Sequence, residues 1–285
     1  MANLKDIKQR IGAIENTASI TQAMYNISIS KLKRSQDLVN SHDLFMEKIN
    51  RVLNETAKVS TDHPMINESN GNVDIYVLIT SDRGLAGPYH NQLFKAFLKE
   101  VQDKKMSEFK MIVIGRKGYF FAKKKNFPML NNKIISNRDD LEVINFRKDL
   151  DSIKKSYVNG GTIKNVYLMH NHFVSTGTQE VIKKVMLPIK TDVNNKNKAL
   201  MDSKYMYDIN PHEIMDGVTD IYMESLIFGA LADAKLSEHA SRMLAMKNAT
   251  DNAQKVIEEL NVIYHRARQQ AITNELIDVI NGANL

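Results

Sequence analysis

The chain has 285 residues, a net charge of +6, a mean hydropathy of −0.35 and no cysteine. Disulfides and thiol chemistry are thereby excluded, and no stretch approaches the roughly 18 apolar residues of a membrane span or the pattern of a secretory signal. A soluble, intracellular protein is expected, at a size where a single core begins to split.

The first predicted element is a long helix. All five prolines lie between Pro64 and Pro211, and residues 1–63 contain only one glycine, Gly12, so nothing there breaks a helix. Leu4, Ile7, Ile11, Ile14, Ala18 and Thr21 alternate steps of three and four, the period of a coiled-coil seam. Around Ile20, Met24 and Ile27 the stripe is expected to shift, with Tyr25 and Ser28 diluting it. Residues 1–34 carry six Lys or Arg against two Asp or Glu, a run that favours a solvated helix face over a dedicated acidic partner.

The middle alternates strands with helices. Residues 73–80 are apolar and β-branched and end in the loop SDRGLAG at 81–87, after which Pro88 suits the first turn of a helix through about Val101. Lys110–Ile114 reads as a second strand, leading through Gly115 into a helix over Arg116–Lys125. Asp139–Tyr157 reads as a helix closed by Gly160 and Gly161, followed by strands at Val166–Met169 and Glu180–Leu187. Residues 191–210, polar and Asn-rich, read as a linker loop. This order predicts a mainly parallel sheet covered on both faces.

The last element is a second long helix. No proline follows Pro211 and no glycine falls between Ala230 and Asn281. Leu236, His239, Met243, Met246, Thr250, Ala253, Ile257, Leu260, Tyr264, Ala267, Ala271 and Asn274 keep the three-four alternation. Helices of about 85 and 105 Å outreach a middle whose radius of gyration is about 14 Å, so antiparallel pairing is the simplest way to cover both stripes. The expected fold class is α/β, with a long antiparallel coiled coil of N- and C-terminal helices and a central Rossmann-like domain. Its expected parts are a helix over 1–62, the α/β domain over 73–190, the linker 191–210 and a helix over 211–285.

Little in the chain suggests catalysis. SDRGLAG has neither the G-x-G-x-x-G nor the G-x-x-x-x-G-K-[ST] spacing, so a structural tight turn is favoured over a nucleotide site. His170 and His172 would face one way on a strand and offer two metal ligands, but no third is evident and an exposed strand face is favoured. No catalytic, cofactor-binding or metal-ligating residue is therefore assigned, and no cofactor is expected. Met24, Met243 and Met246 read as seam packing. Near the C-terminus the polar Arg266, Arg268, Gln269, Thr273 and Glu275 precede the apolar Leu276, Ile277, Val279 and Ile280, giving the helix end two distinct zones.

These residues carry a resemblance. SEHASRMLAMKNATDNA at 237–253, YHRARQQAITNEL at 264–276 and INGA at 280–283 are similar to the C-terminal hallmark of the gamma-subunit family of rotary F-type ATP synthases. IKQRI at 7–11, ITQAM at 20–24, SKLKR at 30–34 and ITSDRGLAG at 79–87 match that family in order and position. The resemblance implies the central-stalk rotor shaft, standing in a ring of alpha and beta subunits and bound at its base to epsilon and to the membrane ring of c subunits. It would couple ion-driven rotation to ATP synthesis or hydrolysis, as a peripheral, non-catalytic subunit on the cytoplasmic face of the cell membrane.

By the same resemblance, Met24, Arg266, Arg268, Gln269, Thr273 and Glu275 would meet the ring. Lys31, Lys33 and Arg34 would form a basic collar, and Leu276, Ile277 and Ile280 an apolar bearing. Tyr205, Tyr207 and Asp208 would lie at the foot. Gln22 stands where the family usually has Lys, Tyr25, Asn26 and the ISIS run at 27–30 also depart, and Pro88 and His90 alter the loop after GLAG. An F-type-like motor not coupled to proton translocation thus remains open. So do a nucleotide-binding enzyme with helical oligomerisation arms and a nucleic-acid binder. The missing phosphate fingerprint disfavours the former, and the acidic residues Glu258, Glu259, Glu275 and Asp278 among the basic ones disfavour the latter.

Overall fold

The computed structural model describes residues 4–137, 144–159, 161–191 and 210–283. Most of the expected linker, the start of the helix expected from Asp139, and Tyr205, Tyr207 and Asp208 lie outside the described residues. The elements are α1 (Leu4–Val59), β1 (Val73–Ile79), α2 (Tyr89–Glu100), β2 (Phe109–Ile114), α3 (Arg116–Lys124), α4 (Ile144–Val158), β3 (Ile163–Phe173), β4 (Gln179–Leu187) and α5 (Pro211–Ala283). Two compact units result, one of Met1–Ile29 with Arg242–Leu285 and one of Ser30–Ser241.

In the larger unit the strand order is β2-β1-β3-β4. β1 pairs in parallel with β2 and β3, while β4 returns antiparallel along β3, so the sheet is mixed at one edge. Every residue of β1 is buried, because alternate side chains feed two cores. Ile75, Val77 and Ile79 pack with Leu150 and Ile153 of α4, Ile227 and Leu231 of α5 and Leu53 of α1. Tyr76 and Leu78 pack with Leu93 and Phe97 of α2 and Ala122 of α3. Gly229 lets α1 approach α5, since a Cβ there would lie 2.3 Å from the His42 ring, whose Nε2 donates to the Ser225 carbonyl at 2.8 Å.

In the smaller unit the two terminal helices pair along the expected seam. Thr21 Oγ1 and Thr250 Oγ1 share a hydrogen bond at 2.7 Å, with Ile7 and Ile257 also buried. The expected shift of the stripe does not occur. Ile20 and Ile27 are 61% and 55% exposed, whereas Tyr25 stays half-buried and Ser28 is only 2% exposed. The three-four cadence from Leu4 continues through both polar-bearing residues, because Ser28 returns its hydroxyl to the Met24 carbonyl (2.8 Å) and so loses no hydrogen bond on burial. On α5 the seam runs as expected from Met243 to Ala271, but Asn274 is exposed. With Thr21 beside Thr250, Leu4 lies about level with residue 267, so the described part of α1 ends one turn before the seam does.

Cysteines replacing Thr21 and Thr250 are expected to join within one chain under mild oxidation, read on a denaturing gel. Crosslinking between chains alone would contradict the pairing.

Candidate functional site

The carboxyl ends of β1 and β3 meet where the strand order reverses, the place at which open α/β sheets bind ligands. Here that place is filled by the protein itself. Thr80 Oγ1 donates to the Ile114 carbonyl (2.8 Å) and accepts from the Gly118 amide (2.9 Å). Ser81 Oγ donates to the Arg83 carbonyl at 2.7 Å, which leaves it to accept from His90 Nε2 at 2.8 Å. His90, one of the departures from the family pattern, thus pins the loop to α2. Asp82 turns onto the N-terminus of α3, accepting from the Arg116 amide (2.9 Å) and from the Ser136 hydroxyl.

Burial raises the Asp82 pKa, but the Ser136 hydroxyl, the Arg116 and Asn137 amides and the Lys235 charge together hold it below the ordinary carboxylate value. A carboxylate of the chain itself therefore occupies the anion position at this helix terminus. Calorimetric titration of the isolated chain with ATP or NAD is expected to give no micromolar binding.

α5 crosses the same strand ends. Residues from Ala230 to Arg242 are buried on every side, although Asp233, Lys235, Ser237, Glu238, His239, Ser241 and Arg242 are polar. Asp233 Oδ2 accepts from His170 Nε2 (3.1 Å) and His172 Nδ1 (2.7 Å), and its Oδ1 accepts from the Phe173 amide (3.0 Å). Lys235 Nζ donates to the Asn137 carbonyl (2.7 Å) and to Glu238 (3.1 Å). Asn137 in turn donates to the Thr80 carbonyl at 2.6 Å. Ser241 Oγ donates to the Ala86 carbonyl (2.7 Å), next to Leu85, whose φ of 59° is a left-handed conformation costing about 1–2 kcal/mol.

The expected exposed strand face therefore fails at His170, while His172 does remain exposed. His170 is fully buried and His172 half-exposed, because α5 brings Asp233 over the end of β3. Among the described residues no cluster of three or more His, Cys, Asp or Glu could hold a metal ion. Burial lowers the His170 pKa against the opposing pull of Asp233, and Lys184 of β4 and His172 beside it lower it further. The neutral ring keeps its proton on Nε2, since Nδ1 is buried with no hydrogen-bond partner. The folded-state pKa lies below the unfolded value near 6.5, so the unfolded chain takes up the proton first and stability is lost as pH falls below about 6.5. His170→Gln keeps a donor near the Nε2 position without titrating. Thermal melts between pH 7.5 and 5.5 are expected to fall less steeply for this variant than for the parent.

In the smaller unit, Arg266, Arg268, Gln269, Thr273 and Glu275 are all exposed, and Met24 is half-buried. They do not form one patch. Met24 lies about level with residue 247, roughly 30 Å along the axis from Arg266, and at about 100° per residue Arg266, Gln269 and Thr273 fall on one side of the helix with Arg268 and Glu275 on the opposite side. Beyond Ala271 every residue to Asn281 is exposed, and Leu276, Ile277, Val279 and Ile280 are each about half-exposed or more. At about 100° per residue these four side chains cover one side of the helix, an arc of roughly 160°, and form an exposed apolar face suited to contact with a partner. In the larger unit Lys33 and Arg34 are exposed and Lys31 is half-buried. Ile20, Ile27, Val262 and Ile263 add exposed apolar surface off the seam.

These features define a coiled-coil protein with a helix-covered α/β domain inserted between its two long helices. A family profile described as ATP synthase matches residues 3–284. The ATP synthase gamma chain of Macrococcus caseolyticus (strain JCSC5402) is 37% identical over 290 residues, covering 99% of each chain. The chain belongs to the ATP synthase gamma chain family. A chain in the cryo-EM structure of the Tetrahymena thermophila mitochondrial ATP synthase central stalk and c-ring is similar at a TM-score of 0.61 and 22% identity, over 81% of this chain and 99% of that one. A chain of the Euglena gracilis mitochondrial ATP synthase gives 0.64 and 15%, over 99% and 93%. At these identities the likeness is one of fold, long terminal helices around a central mixed sheet.

Proposed function

We propose that this chain is the central-stalk rotor shaft of a rotary F-type ATP synthase, coupling ion-driven rotation to ATP synthesis or hydrolysis. Family membership along the full length carries the reading, and the all-round exposure of the α5 end supports it. The paired helices stand inside a ring of alpha and beta subunits, and the base binds epsilon and the c-subunit ring. A single asymmetric rod touching three equivalent sites differently biases each toward a different nucleotide affinity. The nucleotide chemistry belongs to the ring, and the chain is a non-catalytic, peripheral subunit on the cytoplasmic face of the membrane. Among the described residues no helix is long and apolar enough to cross it.

Within this reading Met24, Arg266, Arg268, Gln269, Thr273 and Glu275 meet the ring, joined by the exposed Ile20 and Ile27. Lys31, Lys33 and Arg34 form the collar, Leu276, Ile277 and Ile280 the bearing, and Tyr205, Tyr207 and Asp208 the foot. The helices over 1–62 and 211–285, the domain over 73–190 and the linker 191–210 are the working parts. A motor not coupled to proton translocation is the second reading, favoured by one observation. Gln22 and Asn26 bond to each other (3.2 Å) on the outer face of the coil, so that face lacks the Lys charge usual in the family. Purification of the tagged chain from native membranes is the test. Recovery of alpha, beta, epsilon and c subunits with ATP-driven proton uptake is expected, and recovery of the ring without c subunits would favour the second reading.

A further inference from the structure

We infer that the buried polar turns of α5 act as a spline that fixes this helix, against rotation about its own axis, in the α/β domain. The inference rests on the rotor reading and adds to it the residues through which torque passes between helix and domain. Apolar contacts alone resist such rotation weakly, because they are non-directional. Along Met223, Ile227, Ala230 and Leu231 the contacts of α5 with the sheet are apolar. Its ion pairs to α4 there, Glu224 with Arg147 and Asp220 with Lys154, are largely solvent-exposed and so weakly restraining. The next turns are different. Asp233, Lys235 and Ser241 project at about 0°, 200° and 80° around the helix, so their bonds hold it from three sides.

Each bond ends on a different fixed point of the domain. Asp233 is held by two histidines and one amide at the end of β3. Lys235 reaches Asn137, which is itself bonded to Thr80 at the end of β1. Ser241 reaches the Ala86 carbonyl in the loop after β1. A fourth bond, from the Tyr89 hydroxyl of α2 to the Ala234 carbonyl (3.0 Å), grips the helix backbone, and Asn171 of β3 holds the Tyr89 carbonyl in turn (3.2 Å). These are charge-assisted or fully buried hydrogen bonds, directional and strong for their kind. None of them touches the residues proposed to meet the ring, so the spline governs stiffness and not ring chemistry. Asp233, Lys235, Ser241 and Tyr89 are positioning residues.

The test uses the assembled complex. The chain contains no native cysteine, so Phe120→Cys on the exposed side of α3 carries a rod-shaped probe while the ring is held to a surface. Without nucleotide, the angular variance of the probe reports torsional compliance between ring and base. Tyr89→Phe with Ser241→Ala removes two hydroxyls and little volume, and is expected to raise that variance at least twofold with the ATPase rate unchanged. Asp233→Asn should raise it further, and Asp233→Glu should recover part of the stiffness. Variance equal to the parent's in the double hydroxyl variant overturns the spline, whether or not the Asp233 variants assemble. A parent probe that fails to turn when ATP is added contradicts the rotor reading instead, so the two failures are distinguishable.

Discussion

Replacing Arg268 and Gln269 together by alanine is expected to uncouple the motor, leaving ATP hydrolysis by the ring while ATP-driven pumping per ATP falls severalfold. Both side chains are exposed on α5 just below its apolar end, so they are available to a surrounding partner. Each charge-assisted hydrogen bond lost is worth about 1.5–3 kcal/mol, and roughly 1.4 kcal/mol is already tenfold in the balance of ring conformations. Truncation after Glu275 should be milder. It removes Leu276, Ile277 and Ile280, the proposed bearing, whose apolar side chains can guide an axle but offer few directional, state-specific contacts. ATPase rate and pumping measured on the same reconstituted complexes decide the matter. Normal pumping per ATP in the double variant, with uncoupling in the truncation alone, would reverse the assignment of polar and apolar zones.

Ile257→Asp is expected to open the paired helices while leaving the sheet intact. Ile257 is buried in the seam, about level with Ile14, and its loss removes roughly 1.5–3 kcal/mol of apolar burial. A carboxylate placed there meets no Lys or Arg among the described seam residues and adds a desolvation cost of at least a few kcal/mol. Because residues 242–285 belong to a different compact unit from the sheet, amide exchange should accelerate over 246–264 and stay unchanged over 73–79 and 163–173. Glu258→Ala, on an exposed neighbour, should change stability by less than about 0.5 kcal/mol. Equal acceleration in both units would mean that they unfold as one.

Much of the architecture was legible in the sequence because period and punctuation are local signals. Proline and glycine placement delimited α1 and α5, and the β-branched run at 73–79 marked β1. The seam was readable wherever apolar residues carried it. It was misread at Tyr25 and Ser28, where a buried hydroxyl satisfied by its own helix keeps the cadence while Ile20 and Ile27 point outward. The antiparallel return of β4 escapes the sequence reading because β3 is placed there only at Val166–Met169, whereas its run to Phe173 leaves five residues before β4, too few for a parallel crossover.

The buried polar turns of α5 were missed altogether. Asp233, Lys235 and Ser241 look like solvent-facing residues of an amphipathic helix until the ends of β1 and β3 come to meet them, which is long-range information. One signal was present. SEHASR at 237–242 is too polar for a seam and too poor in alternating charge for a solvated face. The proposed ring contacts were legible only through resemblance, for exposed residues at a helix end carry no partner's signature of their own.

The most direct measurement is single-particle rotation of the reconstituted complex, with the ring fixed and a probe on Phe120→Cys in the α/β domain. On addition of ATP the probe should turn stepwise and in one direction. ATP hydrolysis by an assembled complex whose probe stands still would contradict the assignment of this chain as the rotor shaft.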